Sequence, residues 1–435
     1  MLDDNADHYN FNYLWIVPFL SILYIGLFAF QTIVLTRLLQ SGIKPGKHSI
    51  YSLFYLRKWL ADQLIALCLI ILHPIFATVF ISGFFRALGA KVGKNTEIST
   101  ASSVTHSLLM IGSGSFIADA VTLGEIDIRG QQLILENTVI GNNSFVGNSA
   151  LIPQGYILPD NMLIGVLSTP PKVAILKNSP VKDWFGSPAI GIPNRQSSGV
   201  FDTALTFNPT KKIKVSRGLI EFLRIIFPES VILCCSVFFI AYGHDLLVDE
   251  PIWKIIILTP FYYLGILSLP AFLITVILKW LLVGVYSPSQ YPMWTRKVWF
   301  SEAVTSTYEA LAVPFLLYYL RGTPWLPLLL RLFGLKSGRR VWMNTTDITE
   351  FDLVSIGDDT AMNDDSGPQT HLFEDRVMKL GVIKIGERNS IGARSIILYN
   401  TEIGNDINIS PLSLVMKGEK LPDKTKWSGS PVRAS

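Results

Sequence analysis

The chain has 435 residues, of which 49% are hydrophobic and only 16% are charged, and its mean hydropathy is +0.39. This composition excludes an ordinary soluble enzyme and predicts an integral membrane protein. The net charge of +4 is small. The basic residues gather at the ends of hydrophobic segments, without interleaved aromatics, so nucleic acid is not an expected partner.

The first hydrophobic segment, at about 14–35, is too long for a secretory signal and has no basic residue before it. It predicts a retained transmembrane span. The second segment, 60–85, is interrupted by His73-Pro74. Each of its halves is shorter than the roughly 20 residues that a helix needs to cross a bilayer, so we interpret it as a re-entrant hairpin.

Two further segments, 219–242 and 252–283, are long and uninterrupted and predict spans. The last segment, 308–333, contains a charge, a glycine and a proline at 321–324 and predicts a second hairpin. Basic residues are absent before the first span and abundant after it. They also precede segment 219–242 and follow segment 252–283, whereas only Lys254 lies close to the loop between these two segments. This pattern predicts a multi-pass protein with its N-terminus outside. The two long regions outside the hydrophobic segments, 89–195 and 334–435, are predicted to form lobes in the cytoplasm.

The two halves of the chain repeat each other. Adding 245 to a position maps Arg86 onto Arg331 and Gly112 onto Gly357, and the repeat ends with Trp-x-Gly-Ser-Pro in both halves. We interpret the chain as a tandem duplication of hydrophobic segments followed by a lobe.

Within each half an aliphatic residue returns at every sixth position and is often followed by glycine. Five such hexads start at Ile140 and five at Ile385. This is the hexapeptide signature of a three-sided coil with aliphatic side chains inside. The expected fold is a mixed membrane protein, with transmembrane α-helices and two left-handed parallel β-helix lobes in tandem.

The predicted organisation follows the chain from the N-terminus. It comprises an N-terminal span with a basic loop (1–59), a hydrophobic hairpin or span (60–88), a first lobe (89–195), a basic linker (196–218), two spans (219–295), a re-entrant hairpin (296–333) and a second lobe (334–435).

The hexads of the second lobe break between about Met362 and Val382. This charged stretch is interpreted as a loop, and it holds His371, the lobe's one histidine. Residues outside the coil are free to build a site. The matching position of the first lobe is Ile126, so the lobes are not expected to be chemically equivalent. The other five histidines are scattered along the sequence, and no metal site is expected.

Hexads that end in Trp-x-Gly-Ser-Pro resemble the hexapeptide-repeat acyltransferases, which usually work as trimers. The segments FIADAVTLG, NTTDITEFDLVSIGDD, QTHLFEDRVMK and SLVMKGE narrow the resemblance. They are similar to the membrane-bound C-terminal region of nonribosomal-peptide-synthetase-like proteins of the ε-poly-lysine synthetase type, over about 14–433. The resemblance implies an enzyme that joins an aminoacyl thioester on a carrier to a free amine.

The sequence departs from that family's full-length pattern, in which adenylation and thiolation domains precede the membrane part and three lobes are common. Here a span comes first, two lobes follow, and there is no carrier-type serine motif. No covalently bound cofactor is therefore expected. The phosphopantetheine thioester is expected in trans, on a carrier protein or on coenzyme A.

His371 is the candidate general base, because its ordinary pKa is close to working pH. Glu374 or Asp364 is expected to orient its ring. Two alternatives stay open, a structural role for His371 and a turn-forming role for Asp364, whose repeat partner Asp119 lies in the lobe without a histidine. The predicted substrate-binding residues are Arg376, Lys379, Asn363 and Gln369. Of these, Arg376 and Lys379 are the candidates for binding the phosphate of the carrier or of coenzyme A.

Two other functions fit the sequence: O- or N-acylation of a membrane glycan or lipid from acyl-coenzyme A, and a non-catalytic membrane scaffold for a synthetase. The expected partners are membrane lipid, a carrier protein or acyl-coenzyme A donor, and an amine or hydroxyl acceptor. Soluble relatives place their site between neighbouring β-helices. We therefore expect either that the two lobes pair with each other or that a homo-oligomer completes a trimeric arrangement.

Overall fold

A computed structural model describes residues 11–192 and 199–435 of the chain. The predicted boundary between the first lobe and the linker, at 195–196, lies outside the described residues. The α-helices are Val17–Leu39, Leu53–Ile71, Ile81–Leu88, Val173–Asn178, Lys211–Asp249, Ile252–Tyr262, Leu269–Leu282, Arg296–Thr307, Val313–Phe315 and Trp325–Leu330. The π-helical turns are Tyr263–Ser268 and Tyr308–Ala312, and the 3-10 turns are Phe11–Ile16, His73–Ile75, His106–Leu108, Thr203–Leu205, Leu317–Leu320, Arg331–Phe333 and Phe351–Leu353.

Three helical segments of the described chain are long and apolar enough to cross a membrane. They are Asn12–Leu39, Lys211–Val248 and Ile252–Leu282. Each contains one of the segments that the sequence predicts as a span. Their outward side chains are large and apolar, as at Phe19 and Ile256, which are 62% and 67% exposed. Such side chains suit a lipid environment.

The two interrupted hydrophobic segments fold as helices that break at the interruptions. Leu53–Ile71 starts at Ser52, whose hydroxyl accepts a hydrogen bond from the Tyr55 amide, and it ends just before the turn His73–Ile75. Proline has no N–H to donate and its ring clashes with the preceding helical turn, so the helix cannot continue through this turn. In the later segment the helix gives way to 3-10 turns before Gly322, whose φ is +72°.

Residues 91–192 form what we call the first sheet group. Its three sheets, with hydrogen-bonded strands in order, are Ile157–Leu158, Thr138–Ile140, Leu109–Ile111 and Lys91–Val92; then Ile190–Ile192, Asp183–Phe185, Leu163–Ile164, Phe145–Val146, Phe116–Ile117 and Glu97–Ile98; then Leu151–Pro153, Val121–Glu125 and Ala101–Ser102. All neighbours are parallel except the last strand, Ile190–Ile192.

Residues 336–434 form the second sheet group in the same way. Its sheets are Lys336–Ser337, Val354–Ile356, Ile383–Ile385, Thr401–Ile403 and Lys420–Leu421; then Trp342–Met343, Ala361–Met362, Ser390–Ile391, Asn408–Ile409, Lys426–Ser428 and Arg433–Ala434; then Gly367–Gln369, Ile396–Leu398 and Leu414–Val415. The strands are parallel except for the terminal Arg433–Ala434.

The hexad pattern has a direct structural cause in both groups. The aliphatic hexad residues Ile140 and Ile391 point inward and are 1% and 0% exposed. The glycine after the aliphatic residue stacks on the next turn of chain, because a Cβ on Gly357 would lie 2.6 Å from the carbonyl carbon of Gly386. Any larger residue would push neighbouring strands apart.

Each group also extends a β-hairpin out of its sheets. In the first group the hairpin is Asp127–Arg129 with Gln132–Leu135, and it pairs with Gly46–Ser49. In the second group it is His371–Glu374 with Val377–Leu380, and it pairs with Ser289–Pro292. The stretch interpreted from the sequence as a loop is therefore partly a strand pair, because pairing with Ser289–Pro292 satisfies its backbone groups.

The hairpin of the second group packs against the first group. Phe373 stacks on Phe116 with ring centroids 5.3 Å apart. At the hairpin turn the Arg376 guanidinium donates to the backbone oxygens of Asn95 at 2.6 Å and Ser115 at 3.1 Å, and it lies 3.2 Å from Glu97. The two sheet groups of one chain are thus held side by side.

Replacing Arg376 by alanine should destabilise this arrangement. Arg376 is 5% exposed, and its loss would leave buried acceptors without a donor. We expect the free energy of unfolding to fall by about 3–5 kcal/mol, measured by unfolding of the detergent-solubilised protein. The control is Arg388→Ala, which removes an exposed pair with Asp406 at 2.7 Å and should lower the free energy of unfolding much less, because solvent screens an exposed ion pair. Equal losses in the two variants would contradict a special role for Arg376.

Candidate active site between the two sheet groups

A cavity of about 340 Å³ lies where the two sheet groups meet the helical segments. Its wall from the first group includes Ser99, Thr100, Asp119, Asn148 and Ser149. Its wall from the second group includes Asp347, Glu350, Gln369, His371 and Phe373. The helical segments add His73, Arg224, Glu302, Ser306 and Glu309. Three parts of the chain, far apart in sequence, therefore build one polar cavity.

His371 lies in this cavity on the first strand of the hairpin. Its Nδ1 is 2.9 Å from the Oε2 of Glu350, a carboxylate that is 0% exposed. The hydroxyls of Thr349, at 2.7 Å, and Thr370 donate to the same oxygen. Because Oε2 accepts from Nδ1–H, the other ring nitrogen, Nε2, carries the lone pair that can take a proton.

The two partners shift each other's protonation. Burial alone would lower the pKa of His371, but the charge and hydrogen bond of Glu350, with Asp119 and Glu302 adding to them, raise it above its ordinary value. Burial alone would raise the pKa of Glu350, but His371 and the two threonine hydroxyls lower it. Glu350 is therefore an anion that stabilises the imidazolium form of His371.

Further carboxyl groups surround this pair. Burial raises the pKa of Asp347 to about 6, and the charges of Asp119 and Asp365 add to that effect. Desolvation by the cavity walls raises the pKa of Asp119 as well, although this residue is open to the cavity and the charge of His371 acts in the opposite direction. The cavity therefore concentrates acidic groups beside the histidine, and Asp119 and Asp347 hold their protons to a higher pH than ordinary aspartates do.

The sequence prediction for the residue that orients His371 was wrong. Glu350 contacts the ring, whereas Glu374 bonds Lys379 at 2.8 Å and Lys417 at 2.6 Å. Glu374 is three positions after His371 on one strand, and side chains an odd number of positions apart point to opposite faces. Asp364 lies 3.7 Å from Arg321 and accepts from Asn344 at 3.3 Å, and it does not line the cavity.

The predicted phosphate ligands have other roles. Arg376 bridges the two sheet groups, and Lys379 is 4% exposed and paired with Glu374. Burial and these bonds remove both from the surface where a carrier phosphate would bind. Asn363 donates to the backbone oxygen of Ile391 at 2.7 Å, which is a structural bond between strands. Of the four predicted substrate-binding residues, Gln369 is the one that lines the cavity.

Several cavity residues were not selected from the sequence. Glu350 and Asp347 stand in the segment NTTDITEFDLVSIGDD, and Glu302 and Glu309 are seven positions apart, on one face of a helical segment. Glu302 and Glu309 lie in the predicted re-entrant hairpin, 296–333, where acidic residues were an available signal of a functional site. His73, treated as scattered, also lines the cavity and lies 3.5 Å from Glu309. In the described part of the chain, no group of three or more His, Cys, Asp or Glu is arranged to hold a metal ion.

Comparison with known proteins gives one extensive match. The chain is 44% identical over 433 residues to the delta-poly-L-ornithine synthetase of Acinetobacter baumannii strain AB307-0294, a match that covers 97% of this chain and 32% of that protein. The chain therefore spans about a third of the length of this relative. No protein-family profile matches the chain.

Two solved structures are similar over short parts of the chain. A hexapeptide-repeat acetyltransferase from Vibrio cholerae has 17% identity, covers 26% of this chain and 78% of its own, and has a TM-score of 0.23. A maltose O-acetyltransferase from Clostridium difficile 630 has 16% identity, covers 25% and 73%, and has a TM-score of 0.19. At these scores the likeness carries no inference about function. The expected resemblance to the poly-amino-acid synthetases is confirmed by the extensive match: nearly the whole chain is similar to a section of such an enzyme.

Proposed function

We propose that this chain is a membrane-embedded acyltransferase unit that forms an amide bond between an aminoacyl thioester and a free amine. The observation that carries the proposal is the His371–Glu350 pair inside a cavity shared by both sheet groups. The similarity to a section of a synthetase whose product is a polyamide of ornithine supports the same chemistry. By that similarity the acceptor is an amine of an amino acid or of a growing chain.

The reaction needs a base for the attacking amine. In the proposed step Nε2 of His371 takes a proton from the amine as its nitrogen attacks the thioester carbon, and Glu350 stabilises the resulting imidazolium. The tetrahedral intermediate then collapses, the C–S bond breaks, and the imidazolium returns its proton to the leaving thiolate. The products are one amide and one free thiol, so no further reactant is required.

The oxyanion of the intermediate also needs hydrogen-bond donors. Gln369 and Asn148, one from each sheet group, have side-chain amides that line the cavity without adding charge. Neutral amide donors beside a developing negative charge suit this role. In our proposal these two side-chain amides donate hydrogen bonds to the oxyanion. Gln369 then contacts the substrate, as predicted from the sequence.

The donor arm needs a route to the cavity. A second pocket, of about 170 Å³, shares Ser301 and Met378 with the first and is otherwise lined mainly by apolar side chains. Lys297, an exposed cation, belongs to its wall, with Nζ 3.5 Å from the Tyr291 hydroxyl. In our proposal a phosphopantetheine thioester, supplied in trans by a carrier protein or coenzyme A, enters here, with its phosphate near Lys297.

We also propose how the chain sits in the membrane. The three apolar helical segments cross it as spans, with the N-terminus outside and both sheet groups in the cytoplasm, in keeping with the distribution of lysine and arginine. The two sheet groups are, in this proposal, left-handed β-helix lobes that arose by tandem duplication. Their mutual packing supplies the lobe–lobe interface that soluble relatives obtain by trimerisation.

Replacing His371 by alanine tests the proposed base. We expect amide formation from an aminoacyl thioester to fall by about 10² to 10⁴ in kcat, measured by mass spectrometry of the product made in detergent. The matched control is Asn363→Ala, which changes a residue of the same sheet group outside the cavity and should retain activity. Equal activity of wild type and His371→Ala would refute His371 as the base.

Replacing Glu350 by glutamine should change the pH profile as well as the rate. Because Glu350 raises the pKa of His371, the acid limb of kcat lies above the ordinary histidine value in the wild type. In Glu350→Gln the pKa of His371 falls, so the limb should move to lower pH, while kcat drops for lack of imidazolium support. Asp119, Glu302, Glu309 and Asp347 still face the ring in the variant and should preserve part of the shift. An unmoved limb would contradict the pairing.

A further inference from the structure

Besides Glu350, four carboxyl groups line the cavity, and three of them form one set. Asp119 comes from the first sheet group, Asp347 from the second, and Glu309 from a helical segment. Among the residues that the structure describes, no lysine or arginine lies within ion-pair distance of Asp119 or Asp347, and Glu309 has one histidine neighbour, His73, at 3.5 Å. The described part of the chain therefore supplies little positive charge to pair with these three groups.

Glu302, on the same wall, differs from these three. It lies 3.9 Å from Arg217 and 3.5 Å from Arg224, so it has two cationic partners within the protein. Asp119, Asp347 and Glu309 are instead exposed to the open cavity, and none of them has a lysine or arginine partner in the described chain. Carboxyl groups that line a cavity without such partners are available to a ligand.

A second observation at the same place points to a ligand. The hydroxyl of Ser306, which is 4% exposed, lines the cavity and makes no hydrogen bond with any described part of the chain. Oε1 of the fully buried Glu350 likewise makes no hydrogen bond with any described part of the chain. Buried polar atoms in folded proteins are nearly always satisfied. Unfilled hydrogen-bonding capacity beside uncompensated carboxylates suits a group that donates several hydrogen bonds and carries positive charge, which describes an ammonium ion.

We propose that Asp119, Glu309 and Asp347 bind a second ammonium group of the acceptor while its reacting amine faces Nε2 of His371. The inference rests on the proposed function and assigns acceptor specificity to this set. An acceptor with one amine would leave the carboxylates uncompensated. An acceptor with two would be held at one end and acylated at the other, so the distance from the carboxylates to His371 fixes which amine reacts.

Asp119 is the informative member of the set, because it belongs to the sheet group that lacks the histidine. Its repeat partner is Asp364, which lies outside the cavity beside Arg321 and Asn344. The same turn residue thus points into the site in one group and away from it in the other. The first sheet group, although it carries Ile126 at the position of His371, supplies a specificity-determining residue.

The test compares butane-1,4-diamine with butylamine as acceptors, since the two differ by one amino group. In wild-type protein in detergent, kcat/KM should favour the diamine by about tenfold or more, the effect of roughly one ion pair in a partly desolvated site. In Asp119→Asn this preference should fall by about tenfold, chiefly through a higher KM for the diamine. Asp364→Asn, the matched control, should retain the wild-type preference. An unchanged preference in Asp119→Asn would overturn the inference.

A binding measurement separates this inference from the proposed reaction. Isothermal titration of butane-1,4-diamine without any donor should show binding to the wild type and to Asp364→Asn, and binding at least about tenfold weaker to Asp119→Asn. If wild type forms no amide but this binding pattern holds, the proposed reaction fails and the ammonium site stands. If amide forms while Asp119→Asn binds the diamine like wild type, the reaction stands and the ammonium site fails.

Discussion

The arrangement of the site depends on the buried guanidinium of Arg376. It sits at the turn of the hairpin His371–Glu374 with Val377–Leu380 and donates to backbone oxygens of the first sheet group. A buried guanidinium is tolerated only when its N–H groups and charge are satisfied, so the hairpin has few alternative positions. Because the same hairpin carries His371, the bond that joins the two sheet groups also fixes the histidine against the opposite wall of the cavity.

The two sheet groups, which are similar in strand order, contribute different residues to the cavity. The second sheet group holds Glu350 and His371, whereas the corresponding residues of the first are Thr105 and Ile126. The first group instead supplies Asp119 and other polar residues of the facing wall. A site between two identical lobes would repeat itself at each interface. Because both sheet groups belong to one chain, they need not be identical, and each can carry different residues at the cavity.

Much of the fold could be predicted from the sequence, because its signals are local and periodic. The hexads predict which side chains point into the coil, and the long apolar runs predict the three helical segments that are apolar enough to cross a membrane. The site was harder to predict, since Glu350 meets His371 only after the chain has folded. Glu374 is close to His371 in sequence, but the alternation of side chains along a strand points it to the opposite face, where it pairs with Lys417. Arg376 was expected to bind phosphate because the sequence does not show that its side chain is buried.

The helix Lys211–Asp249 ties the cavity to the membrane-compatible part of the chain. Near its start, Arg217 pairs with Glu97 of the first sheet group at 2.8 Å, and Arg224 donates to the backbone oxygen of Phe76 at 2.7 Å and lines the cavity. The same helix then continues as an apolar segment. Since these arginines are buried only when the sheet group and the helix are docked, the cavity wall is complete only in the assembled state. The chemistry of the cavity is thereby coupled to the correct packing of a candidate membrane span.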